Sequence, residues 1–255
     1  MLQMRILRIA GPALLCLGAA AQPQQSVDIT SEPSHHLVFQ NEYLRAFDVT
    51  VAPKTSTLVH RHEHDYVFVT LGDADLTNAR VGEKPAGLQL KDGETRFTPG
   101  GFAHAAINNS DRPFHNITID LLQPATNVKR CTESCTVPVP CAAQAKSACP
   151  SMERRISSDQ WVMSFVTMPP GSHLERHTRA LPNLVVAVSN LDLTVVSGSS
   201  TREIKRTPGG LAWSQAGNHQ LINSTWLTGV SGTLINSSNN SAAKFVTLEF
   251  AENKK

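Results

Sequence analysis

Three of the ten histidines fall in one short stretch, Val59-His60-Arg61-His62-Glu63-His64-Asp65-Tyr66-Val67-Phe68-Val69. They stand at alternate positions and lead into a β-branched and aromatic tract that ends at Gly72. The tract reads as a strand. Alternate side chains of a strand share a face, so His60, His62, His64 and Tyr66 are expected to project the same way. Neutral imidazole nitrogen is a good ligand for first-row divalent metals, and two imidazoles two residues apart on a strand can hold one ion. Spacing alone is equally consistent with a polar strand end whose histidines face water.

A second stretch changes that balance. Residues Gly93 to Asn108 read as a strand, a Pro99-Gly100-Gly101 turn and another strand, with one isolated histidine, His104, just after the turn. The pair of stretches resembles the two motifs of the cupin superfamily. Gly93, Pro99, Gly101, His104 and Asn108 meet the second motif in full. His60, His62 and Gly72 meet part of the first, whereas Lys54 stands for its leading Gly and Tyr66 or Val67 for its Glu. The resemblance implies one divalent transition metal, Fe, Mn, Zn, Ni or Cu, held by His60, His62 and His104. It implies a small organic ligand or substrate and, when catalytic, dioxygenase, decarboxylase, isomerase or lyase chemistry. Tyr66 is expected to offer a hydroxyl where the Glu is missing, and His64 a general acid or base. Arg96 is a candidate for holding a substrate carboxylate.

Those residues need elements to position them. Leu44–Val51, the tract after His64, residues 74–78, and Phe114–Leu122 read as short strands divided by turn residues, the pattern of a barrel or sandwich. Residues 22–34 read as a loose lead-in. After residue 155 the chain reads as a second start. Residues 160–171 resemble 43–53, residues 184–193 resemble 66–76, and residues 244–250 resemble 115–121. An internal repeat of this length predicts two copies of one fold. The expected class is all-β, two cupin-type double-stranded β-helix (jelly-roll) barrels in tandem. The expected domains are residues 35–123 with the metal site and residues 156–252 with a degenerate one. Glu175, His177 and His219 are candidates for a second, weaker site, or they are solvated. Two tracts, 210–223 and 229–236, compete for the second motif of this half.

Residues 124–155 read as a linker rich in Pro, Thr, Ala and Lys, with Cys131, Cys135, Cys141 and Cys149. Disulfides are favoured over a structural zinc site, mainly because the start of the chain reads as an export signal, and also because close-set Cys-x-x-Cys pairs are absent. Residues 1–22 read as a secretory signal, with arginines first, then an apolar run and an Ala19-Ala20-Ala21-Gln22 junction. The mature protein is therefore expected to be secreted or periplasmic, with no membrane span after cleavage. A formal charge of +2 gives no electrostatic basis for a nucleic-acid partner. The resemblance leaves a homodimer through the barrels open.

Overall fold

The structure, a computed structural model, describes residues 25–133, 135–139, 149–175, 181–197, 200–214, 233–238 and 240–251. Among these residues there is no α-helix. The first half is built from β1 (Val27–Asp28), β2 (His35–Gln40), β3 (Leu44–Val51), β4 (His60–His62), β5 (Tyr66–Leu71), β6 (Ala74–Arg80), β7 (Ala86–Leu90), β8 (Thr95–Thr98), β9 (Phe102–Asn108) and β10 (Phe114–Leu121). They form two facing sheets, ordered β1-β4-β9-β6-β7 and β2-β3-β10-β5-β8. The second half continues with β11 (Lys129–Arg130), β12 (Thr136–Val137), β13 (Ser151–Ser157), β14 (Trp161–Met168), β15 (His173–Glu175), β16 (Asn183–Ala187), β17 (Leu191–Ser197), β18 (Ser200–Arg206), β19 (Leu211–Ser214), β20 (Thr233–Asn236) and β21 (Ala243–Phe250). Its sheets run β11-β13-β14-β21-β16-β19, with β12 also on β13, and β15-β20-β17-β18.

The halves repeat. β10 lies between β3 and β5 as β21 lies between β14 and β16. β9 pairs with β4 as β20 pairs with β15. Asn108 and Asn236 occupy the same place at the ends of β9 and β20. Each is fully buried and each donates through Nδ2 to carbonyls of a neighbouring strand end and loop. Asn236 is therefore the counterpart of the motif's closing Asn108, while β19 pairs with β16 as β8 pairs with β5, so the two competing tracts supply the start and the end of the second-half motif. The residue four before Asn236 in the sequence is Gly232, where the first half has His104.

The large apolar runs have a topological cause. On β5, Tyr66 and Phe68 face the interior of the first barrel, while Val67 and Val69 face the second barrel. On β10, Ile117, Ile119 and Leu121 join the same outward cluster, together with Ile156, Trp161, Met163, Leu184, Val186, Val246, Leu248 and Phe250. The sheet is covered on both faces, so its strands lack a solvated side. Tilted aromatic packing extends this shared core: the Trp213 ring centroid lies 5.6 Å from that of Tyr43, and the Trp161 centroid 5.9 Å from that of Phe97. The stretch expected as a linker also contributes strands, since β11 and β12 both pair with β13. Cys131 and Cys135 form a disulfide there, and Cys149 is disulfide-bonded as well. Cys141 lies outside the described residues.

The residues read as a loose lead-in are partly structural. β1 pairs in parallel with β4, Val27 opposite His60, and Ile29 is fully buried. This strap lies directly against the histidine strand.

Candidate metal centre

The single strand expected from His60 to Val69 is two strands in different sheets. The chain turns a corner at Glu63-His64-Asp65, because barrel closure needs it to leave one sheet for the other. The corner is pinned by the Pro99-Gly100-Gly101 turn. Gly101 N–H donates to the His62 carbonyl at 2.7 Å, and Gly100 N–H donates to Asp65 Oδ1 at 2.9 Å. The expectation that four side chains share one strand face therefore fails at His64. That residue is half-buried in the corner and does not line the cavity. Tyr66 regains the interior from the neighbouring sheet, and its ring stacks on His62 with centroids 4.1 Å apart.

The three histidines of the motifs do converge. His60 stands opposite His104 across β4 and β9. His62 Nε2 lies 3.2 Å from His60 Nε2 and 3.2 Å from His104 Nε2. All three are buried. Their other ring nitrogens point outward to acceptors. His60 Nδ1 donates to the Leu58 carbonyl at 3.0 Å, and His104 Nδ1 donates to Asn78 Oδ1 at 2.7 Å. His62 Nδ1 faces Asp120 Oδ1 at 3.8 Å, and neither atom has a hydrogen-bond partner. The other Asp120 oxygen accepts from Arg45 at 2.7 Å. Placing the proton on each Nδ1 leaves the Nε2 lone pairs aimed at one another, which is repulsive unless a cation lies between them.

The arrangement fits a metal. Two nitrogens each about 2.0–2.1 Å from one ion, at tetrahedral or cis-octahedral angles, are about 2.8–3.4 Å apart. The observed 3.2 Å separations lie inside that range. The outward acceptors are what fixes the tautomer and direction of ligating imidazoles. Burial, reinforced by His35 nearby, lowers the His60 pKa to about 4, and burial with His60 and His62 lowers that of His104 to about 2. Burial also lowers His62, although Asp120 pulls the other way. The rings are thus held in their neutral, ligating form.

A fourth histidine, His35 at the start of β2, joins this knot. Ligand nitrogens of His35, His60 and His62 lie within 4.8 Å of one another. Sequence reasoning missed it, since it belongs to neither motif. It also missed Asp120, although Asn116, Thr118 and Asp120 form a polar phase inside an otherwise apolar strand. Asn78, Thr77 and Arg80 come from β6, which the sequence showed only as a short strand.

The histidines line a cavity of about 150 Å³. Its other polar walls include Tyr66, Arg80, Arg96, Thr98, Asn116 and Thr118. The Arg80 guanidinium lies 3.8 Å from the centre of the Phe102 ring, and Arg80 sits opposite His104 across β6 and β9. Arg96 is held by Glu94 through Nε and Nη2, both at 2.8 Å. Burial pushes the Tyr66 phenol up to about 12, although the Thr98 hydroxyl pulls it back.

A tandem of two such barrels, with a histidine knot inside the first, settles the architecture. The chain has the bicupin fold. No protein-family model matches the sequence, and no curated protein does. Among solved structures, the chain is similar to a putative glyoxylate-induced protein from Pseudomonas aeruginosa, at 12% identity and TM-score 0.57 over 86% of this chain and 79% of that one. It is similar to the oxalate decarboxylase of Bacillus subtilis, an enzyme with Mn(II) centres, at 11% identity and TM-score 0.50 over 84% and 71%. A cupin domain from Bordetella pertussis matches at 26% identity and TM-score 0.33, over 38% of this chain and 96% of that domain.

Of the groups considered for the second barrel, His177 and His219 lie outside the described residues, as does the Glu175 side chain. Residues 1–24, with the expected signal, lie outside them too.

Proposed function

We propose that this bicupin is an exported, metal-dependent enzyme of the dioxygenase, decarboxylase or isomerase type, acting on a small organic acid. The observation that carries the reading is one small cavity holding both a converging set of neutral imidazoles and two guanidinium groups. His60, His62 and His104 would hold one divalent metal. When bound, that ion supplies a Lewis-acidic centre and, if redox-active, an electron-transfer partner.

The chain's own groups then divide the remaining work. Arg80, next to His104, and Arg96 are the bidentate donors suited to a carboxylate. Phe102 fixes the plane of Arg80, and Glu94 fixes Arg96. Tyr66 remains a protonated phenol throughout the neutral range and serves as a hydrogen-bond donor, not as a base. Asp120 steadies His62 and stabilises positive charge gathering on it. A cavity of about 150 Å³ favours a small acid. The arginine-led sequence start, the apolar run behind it and the Cys131–Cys135 disulfide support export to an oxidising compartment.

The test is elemental analysis of protein purified without an affinity-tag metal, followed by a screen of small mono- and dicarboxylic acids for consumption. About one equivalent of metal per chain and turnover that Arg80→Ala suppresses are expected. A protein that takes up no metal after reloading overturns the reading. Metal uptake with acids bound but none consumed moves it to a non-catalytic ligand binder.

A further inference from the structure

The cupin motif's carboxylate has no counterpart beside His62. Tyr66 stands in that region of β5, with its ring stacked on that of His62 at 4.1 Å between centroids. Another imidazole comes close to His60 and His62 from outside both motifs. His35 is 8% exposed, its ring lies 4.5 Å from that of His60, and its ligand nitrogen falls in the same 4.8 Å cluster as those of His60 and His62. Its Nδ1 is bound to Glu32 Oε2 at 2.6 Å, which leaves Nε2 as the remaining nitrogen of the ring.

Glu32 is only 2% exposed. Its Oε2 also accepts from the Ser34 N–H at 2.8 Å, and its Oε1 accepts from the Leu58 N–H at 3.0 Å. The Leu58 carbonyl in turn accepts from His60 Nδ1 at 3.0 Å. One buried carboxylate thus sets His35 directly and His60 through the backbone of a single residue, Leu58. Burial alone would raise the Glu32 carboxyl, but the bonds from His35, Leu58 and Ser34 carry it below its ordinary value. The strap that delivers both residues is fixed against the metal strand by the β1–β4 pairing and by buried Ile29.

We propose that His35 is the fourth protein ligand of the metal, supplied by the amino-terminal strap in place of the motif's carboxylate, with Glu32 as its positioning residue. This rests on the metal reading above and goes beyond it. The inner ligands become four neutral nitrogens, with the Glu32 carboxylate one hydrogen bond farther out behind His35 and the Asp120 carboxylate facing His62 at 3.8 Å. Imidazole suits Zn, Cu, Fe and Ni, whereas carboxylate oxygen suits Mn. The all-nitrogen set therefore selects against manganese.

The test uses the metal-stripped full chain titrated with Co²⁺, whose visible spectrum reports the ligand set, with chelator competition for affinity. Wild type is expected to bind one equivalent. His35→Ala is expected to shift the spectrum and to weaken binding more than the ~10–100-fold typical of an outer residue, and added free imidazole should restore the wild-type spectrum. Glu32→Gln should keep the wild-type spectrum with affinity down about 10–100-fold. A wild-type spectrum in His35→Ala, at any affinity, overturns the proposal while leaving a three-histidine site intact. No Co²⁺ spectrum in wild type overturns the metal reading itself. If circular dichroism shows that His35→Ala does not fold, pulsed EPR of the wild-type Cu²⁺ complex decides, with four coupled imidazoles expected and three overturning the assignment.

Discussion

His60, His62 and His104 are neutral because burial charges a high cost for protonating them inside the barrel. The same cost links stability to pH. In the unfolded chain each imidazole titrates near ~6.5. As pH falls from there, the unfolded state takes up protons that the native state refuses until about pH 4 at His60 and lower still at His104. Stability is therefore fully present above about 6.5 and is lost as pH falls through this window. The thermal midpoint of the metal-free protein is expected to drop steeply between pH 7 and pH 4, and less steeply in His104→Ala. A midpoint flat over that range in the metal-free wild type would refute it. At this scale the sequence exposed the motif histidines, whose spacing is short-range. It hid His35, Glu32, Asn78 and Asp120, which meet them only through pairings with distant strands. His64 misled because strict alternation takes no account of a chain leaving one sheet for another.

That corner belongs to the scale of the elements. The second motif is legible because its glycines answer to backbone geometry. Gly101 has φ +84°, a left-handed conformation costly for other residues. Gly100 is constrained by closeness instead: a Cβ there would lie 2.4 Å from both the carbonyl carbon and the carbonyl oxygen of His64. Backbone cannot yield as a side-chain tip can. Gly100→Ala is thus expected to cost about 1–3 kcal/mol of stability. It should also weaken metal binding, since the displaced turn carries the bond to the His62 carbonyl. Denaturant unfolding and a metal titration check the two effects, and a variant with unchanged midpoint and affinity would show that the corner tolerates the methyl. The strap escaped notice for the opposite reason. Two residues of β1 and the 3-10 turn at Ile29–Ser31 give no periodic signal, and their order comes from Ile29 and Glu32 being buried by the barrel.

Across the whole molecule the repeat in the sequence announced two barrels, but not that they share one apolar core. That core follows from strands apolar on both faces, such as Tyr66–Leu71 and Asn183–Ala187, a pattern that one barrel in water would not need. Trp161 lies at its centre, 2% exposed and against Phe97 of the other half. The second barrel then has a mechanical use, whatever its chemistry. It covers the back of the sheet whose inner face carries Tyr66, Asp120 and Arg45. Because neither half can bury that face alone, unfolding is expected to be a single calorimetric transition, with calorimetric and van't Hoff enthalpies in agreement. Trp161→Ala should lower stability by about 3–5 kcal/mol and shift that one transition as a unit, loosening the metal site although Trp161 lies in the other barrel. Two resolved transitions, with only the second moved by the substitution, would mean that the barrels are energetically separate. The metal site would then owe its rigidity to the first barrel and its strap alone.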